Sequence, residues 1–101
     1  MNFNNFTIKA QEVVQKSIDL TSRNKQQSIE PAHLMRAILN EAQSITNFLF
    51  QKMGVNSAQF SAILDKEIES FPKVSGGEPF LSRETNAVLQ KAVDLSSKMG
   101  D

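Results

Sequence analysis

Cysteine, tryptophan and tyrosine are all missing from this 101-residue chain, and histidine occurs once. Without cysteine there is no disulfide framework and no thiolate to act as nucleophile or metal ligand. That suits a reducing compartment, and cytoplasm is the default expectation. A single histidine, His33, has no second histidine or cysteine with which to share a metal. An excess of either charge is also missing: 11 basic residues meet 11 acidic ones, so no long-range field draws in nucleic acid or anionic lipid. The basic residues are scattered from Lys9 to Lys98 without clustering and without interleaved Tyr or Trp, which argues against direct nucleic-acid binding. No apolar run approaches the roughly 20 residues that a bilayer span needs. The opening Met1-Asn2-Phe3-Asn4-Asn5-Phe6 has neither the charged nor the apolar region of a signal peptide. Partners are therefore expected to be recognised by shape and apolar surface. The length allows one domain with one modest core.

What is present is a repeat. Val13-Val14-Gln15-Lys16-Ser17-Ile18-Asp19-Leu20-Thr21-Ser22-Arg23 returns as Val88-Leu89-Gln90-Lys91-Ala92-Val93-Asp94-Leu95-Ser96-Ser97-Lys98, an offset of 75 residues. Six positions are identical and the others change like for like. The period exceeds that of common solenoids, so each unit is a multi-helix module. The second unit is expected to be incomplete, since its copy of the helix is followed only by Met99-Gly100-Asp101.

Periodicity predicts five helices and no strand, an all-α fold. Thr7 is placed to cap the first, whose stripe is Ala10, Val13, Val14, Ser17 and Ile18, with Leu20 at its edge and Ile8 on the opposite face. Pro31 at a first helical position starts the second, which carries Leu34, Met35, Ala37, Ile38 and Leu39 inward and ends near Ala42. Ser44 is expected to cap the third, with Ile45, Phe48, Leu49 and Met53 inside and Gly54 as its left-handed stop. Asn56, with Gln59 three residues on, opens the fourth, which holds Phe60, Ile63, Leu64, Ile68 and Phe71. Pro72 ends it, and Pro72-Lys73-Val74-Ser75-Gly76-Gly77-Glu78-Pro79 reads as a flexible linker. Ser82 caps the fifth helix, whose stripe includes Thr85, Val88, Leu89, Ala92, Val93 and Leu95, and Gly100 is expected to stop it. The division is thus residues 1–71, a first four-helix repeat; 72–81, the linker; and 82–101, the first helix of a second repeat.

Few residues invite chemistry. His33 sits in the first turn of the second helix beside Leu34, where a partly buried, hydrogen-bonded ring is favoured over a catalytic base, which needs a partner and a pocket. Gly76-Gly77 lacks the lysine and the strand of a phosphate loop. Asp65, Glu67 and Glu69, with Lys66 among them, describe a solvated helix face. No serine has a basic partner near in sequence, so an enzyme, a small hydrolase or metal protein for instance, is not expected.

The order Phe6-Thr7, the Val-Gln-Lys-Ser-Ile helix, and Ile29-Glu30-Pro31-Ala32-His33-Leu34-Met35-Arg36-Ala37-Ile38-Leu39 resembles the Clp amino-terminal domain of AAA+ unfoldases. The resemblance continues through Met53-Gly54-Val55 and Leu81-Ser82-Arg83-Glu84, and Phe71-Pro72-Lys73-Val74-Ser75-Gly76 is similar to the ClpB-type branch of disaggregase chaperones. It implies two pseudo-symmetric four-helix repeats, of which this chain carries the first and one helix of the second. It implies capture of unfolded or aggregated polypeptides on behalf of a homohexameric motor. ATP and Mg would belong to AAA+ modules outside this chain, so no cofactor is expected within it. Carried over by resemblance, Thr7 and Asp101 belong to a polar cluster used in substrate handling, and Leu89 to an apolar groove. The alternative is adaptor docking, as in ClpA- or ClpC-type proteolytic unfoldases. With helix five expected to lack much of its repeat, the chain is also expected to self-associate or to swap through Gly76-Gly77.

Overall fold

The computed structural model describes residues 6–99. Five helices run in order: α1 (Ile8–Arg23), α2 (Pro31–Glu41), α3 (Gln43–Met53), α4 (Ser57–Ser70) and α5 (Arg83–Lys98). Two short strands, β1 (Ser28–Ile29) and β2 (Phe80–Leu81), pair in parallel with Ser28 opposite Phe80 and Ile29 opposite Leu81. The fold is all-α apart from this pairing, which two residues a side are too few to announce by alternation.

Caps account for most of the helix boundaries. Thr7 Oγ1 accepts from the Ala10 amide at 3.0 Å, Asn56 Oδ1 from the Gln59 amide at 3.0 Å, and Ser82 Oγ from the Thr85 amide at 3.1 Å. Each satisfies one of the amides that a helix start leaves without an internal partner. Pro31 occupies the first position of α2. At the end of α1, Lys25 turns left-handed with φ 59°. There the Gln26 amide bonds the Thr21 carbonyl and the Lys25 amide the Ser22 carbonyl, both at 2.9 Å, the pattern of a Schellman stop. Gly54, φ 71°, closes α3 through the same two bonds, to Phe50 and Gln51. The fifth helix ends with Met99 as its cap; Gly100 lies outside the described residues.

The core joins the two repeat copies. Val13 and Val14 of α1, Leu34 and Ala37 of α2 and Leu89 of α5 form one buried cluster, with Phe6, Ile18, Ile38 and Leu81 packed around it. The repeat is visible in local bonds as well: Gln15 Nε2 donates to Asp19 Oδ1 at 3.0 Å, and Gln90 Nε2 donates to Asp94 Oδ1 at 3.2 Å. Burial differs between the copies. Val13 is 9% exposed while its counterpart Val88 is 45% exposed, so α5 buries only part of the stripe that α1 buries.

Besides Ile63 of α4, expected inside but 65% exposed, two expectations are corrected. The third helix starts at Gln43 with Ala42 as its cap, not at Ser44, and it turns Thr46 and Phe50 inward. Phe50 meets Phe60 of α4 at 5.0 Å between ring centroids. The Thr46 hydroxyl is within bonding distance of the Ala42 and Gln43 carbonyls at 3.1 and 3.2 Å, which removes the cost of burying it. Ile45, Phe48, Leu49 and Met53 are consequently exposed. The second correction concerns the segment joining α4 to α5, which is strapped down rather than free. Lys73 Nζ donates to the Asn24 carbonyl, the Val74 amide to Lys25, the Phe80 amide to Gln27 and the Ser82 amide to Ile29. Gln27 Nε2 adds a bond to the Glu78 carbonyl at 3.1 Å.

Gly76 and Gly77 both turn left-handed, with φ 87° and 89°. A Cβ at Gly76 would meet open space, whereas one at Gly77 would lie 2.5 Å from Gln27 Nε2. Gly76→Ala is therefore expected to cost about 1–2 kcal/mol through its backbone alone. Gly77→Ala should cost about 1 kcal/mol more, because Gln27 must give up its bond to Glu78. Urea unfolding of the two variants side by side measures the difference.

Candidate functional site

A buried polar network ties the start of α2 to the end of α4. The His33 ring is fully buried and tilted against Phe71 at 5.3 Å between centroids. Its Nδ1 accepts from the Glu30 amide at 2.9 Å. The proton therefore sits on Nε2, which lies 2.7 Å from Gln26 Oε1 and donates to it. Gln26, itself buried, passes the connection on through Nε2 to the Ile68 carbonyl at 2.6 Å. Desolvation pushes the His33 pKa below its ordinary value of 6.5, outweighing the Glu30 carboxylate, which pulls the other way. Both ring nitrogens are committed to the neutral form. The arrangement is a structural clasp, as the sequence favoured, and it leaves no nitrogen free to serve as base or ligand. Gln26 was not foreseen, since it lies in a polar run that reads locally as a solvated loop.

A second clasp holds α5. Thr85 is fully buried, and its hydroxyl donates to the Ile29 carbonyl at 2.7 Å while Ser82 Oγ donates to Thr85 Oγ1 at 2.9 Å. Together with the β1–β2 pairing, this fixes the axial position of α5 and delivers Leu89 into the core. A third polar contact joins α2 to α4. Arg36 Nη2 donates to the Ser61 carbonyl and hydroxyl at 3.0 and 2.7 Å and pairs with Asp65 Oδ1 at 2.7 Å. The Asp65 carboxylate is mostly exposed, so the ion pair adds little beyond the hydrogen bonds. A cavity of about 210 Å³ opens beside this guanidinium, lined also by Asn40, Gln43, Asn47 and Ser57; it gathers amides and hydroxyls around one arginine that is already paired.

Of the three residues singled out for substrate handling, Thr7 and Leu89 lie within the described residues. Thr7 is exposed at the start of α1, with its hydroxyl engaged as the cap. Leu89 is only 5% exposed and lies in the core cluster. Asp101 lies outside the described residues. Thr7→Ala is expected to cost about 1 kcal/mol as a lost cap, readable as a lower urea midpoint whatever its effect on binding. The apolar surface that the molecule does offer is elsewhere. On α5 it is Val88, Leu95 and Met99; on α1, Ile8; on α3, Ile45, Phe48, Leu49 and Met53; on α4, Ile63; and between helices, Val55, Val74 and Phe80. Sequence spacing found the α3 stripe but assigned it to the core.

Among the described residues no three His, Cys, Asp or Glu side chains are grouped so as to hold a metal ion, and no helix is long and apolar enough to cross a membrane. The described residues thus form a helical module of α1–α4 strapped to α5, with apolar side chains exposed on a net-neutral chain. Comparison with protein families gives that module its class: residues 5–101 match the Clp repeat (R) N-terminal domain, and the chain belongs to this family. Its relatives place it with the ClpB-type chaperones. It is 56% identical over 101 residues to the chaperone protein ClpB of Bacteroides thetaiotaomicron and 52% identical over 101 residues to that of Porphyromonas gingivalis. In both cases the whole chain is matched, and it spans 12% of the relative. The ClpB of Bdellovibrio bacteriovorus is 33% identical over 97 residues, 94% of this chain and 11% of that protein.

Proposed function

We propose that this chain is the substrate-capturing, non-catalytic N-terminal domain of an ATP-dependent ClpB-type disaggregase, acting on unfolded or aggregated polypeptides. The observation that carries the reading is the placement of large apolar side chains on the surface of a net-neutral Clp repeat domain. Burial of apolar area yields roughly 25 cal/mol per Å² with little demand on sequence, which suits a binder of many non-native chains. In this reading the domain serves AAA+ modules that bind ATP and Mg and assemble as a cytoplasmic homohexamer, and the domain itself holds no cofactor. Nucleic acid and membrane are not its partners. The partly open stripe of α5 also favours self-association at high concentration; sedimentation that shows only monomer would refute that part.

The test of the main reading is titration of the isotopically labelled chain with casein, an unfolded protein, followed through amide shifts. Saturable shifts at the exposed apolar residues are expected. Spectra unchanged at millimolar casein would defeat the proposal.

A further inference from the structure

We infer that α3 itself is a docking ridge for short apolar, carboxylate-bearing segments of non-native polypeptides, with Ile45, Phe48, Leu49 and Met53 as its contact side chains and Lys52 as its charge determinant. The inference rests on the capture reading above and gives it a site.

These four residues are 63%, 58%, 48% and 63% exposed. Their spacing of three, four and eight residues from Ile45 puts them on one side of the helix, while Thr46 and Phe50 occupy the inner side. The exposed apolar area is on the order of 400 Å², the size at which a patch on a monomer is commonly functional. Nothing local required the exposure. A helix of this composition could have buried the four and turned Thr46 outward, yet the Phe50–Phe60 contact and the satisfied Thr46 hydroxyl hold the opposite orientation.

Charge and area choose the occupant. The helix contains no carboxylate, and its one charge, Lys52, lies on the ridge with its ammonium 5.5 Å from the centre of the Phe48 ring. A second copy of the chain would bring cation towards cation across a two-fold contact, with no acid on either helix to pair it. The area also falls short of the roughly 800 Å² per partner of a stable dimer. A segment of one to three helical turns needs no more than the ridge offers. Two or three large apolar side chains would cover Phe48 and Leu49, and a neighbouring Glu or Asp would meet Lys52. Such a contact is weak and renewable, as a handover site must be.

The experiment uses three synthetic 16-residue peptides: one with Leu or Phe at helical spacing and Glu flanks, one with the same core and Lys flanks, and one with serine in place of the apolar core. With the Glu-flanked peptide, saturable amide shifts centred on residues 45–53 are expected, with at least tenfold weaker binding of the serine control. Phe48→Ser combined with Leu49→Ser should weaken binding at least tenfold with an unchanged urea midpoint, since both side chains are exposed. Lys52→Glu should reverse the preference between Glu and Lys flanks. Shifts confined to α1 and α5, with the double variant binding like the parent, would overturn the site while leaving the capture reading intact. Shifts on α3 that appear without peptide and vanish on dilution would assign the ridge to a second copy and overturn the proposal. In any longer form of the protein the double variant must also bind more weakly; unchanged affinity there would mean the ridge is covered by the protein's own residues. No response to any peptide or to casein would defeat both readings together.

Discussion

Replacing His33 by alanine is expected to lower the free energy of unfolding by about 3–5 kcal/mol, measured by urea denaturation at pH 7.5. The loss has three sources. A fully buried ring is removed from against Phe71. The Glu30 amide loses its acceptor, and Gln26 Oε1 loses its donor, with Gln26 itself buried. For a domain whose total stability is about 5–15 kcal/mol, that is a third or more of the whole. The effect should also spread. Gln26, once released from the ring, holds the Ile68 carbonyl less firmly, so amide exchange should quicken at the end of α4 as well as at the start of α2.

The same clasp gives stability a pH dependence of known sign. Burial lowers the folded-state pKa of His33 below 6.5, so between that lowered value and 6.5 the unfolded chain binds more protons than the folded one. Stability contributed by the neutral ring is therefore complete above 6.5, declines as the pH falls below it, and stops declining once the folded-state pKa is passed. Urea midpoints measured from pH 7.5 downwards, staying above the carboxylate range near 4, should fall for the parent and stay flat for His33→Ala. A flat parent profile would show that the ring is not held neutral.

What could be read from residues alone, and what could not, divides along the range of the interactions. Thr7, Asn56 and Ser82 act within three residues of themselves, so their caps were legible, and so was the left-handed stop at Gly54. The single histidine in a first turn beside Leu34 was legible as a partly buried, hydrogen-bonded ring, and the structure buries it completely. Its partner was not: Gln26 lies seven residues away in a polar run, and only the meeting of α1, α2 and α4 makes that amide internal. The segment from Pro72 to Pro79 looked loose because composition reports local stiffness. Its bonds to Asn24, Lys25 and Gln27 span about fifty residues. The third helix shows the limit of periodicity. Two faces were available, one rich in apolar residues and one holding Thr46 and Phe50. The choice was made by an aromatic contact with α4 and by two carbonyls close enough to accept the threonine hydroxyl, neither of which a stripe count registers.

Leu89→Ala is expected to cost about 2–5 kcal/mol, because the side chain is enclosed by Val13, Val14, Leu34 and Ala37 and its removal leaves a cavity at the junction of α1, α2 and α5. Leu95→Ala, six residues on and half exposed, should stay within about 0.5 kcal/mol of the parent. The contrast bears on function as well as on stability. A binding defect in Leu89→Ala would follow from loosening α5 even if no client ever touched that side chain, so the alanine variant cannot by itself place Leu89 in a groove. Leu89→Met separates the two roles. It nearly conserves volume and should cost less than about 1.5 kcal/mol, which keeps α5 seated while altering the shape that a client would meet. With Leu89 buried as it is here, the methionine variant is expected to bind casein like the parent. Weaker casein binding at full stability would mean that α5 lifts from the core to expose Leu89, and that the strap from Phe71 to Ser82 yields when it does.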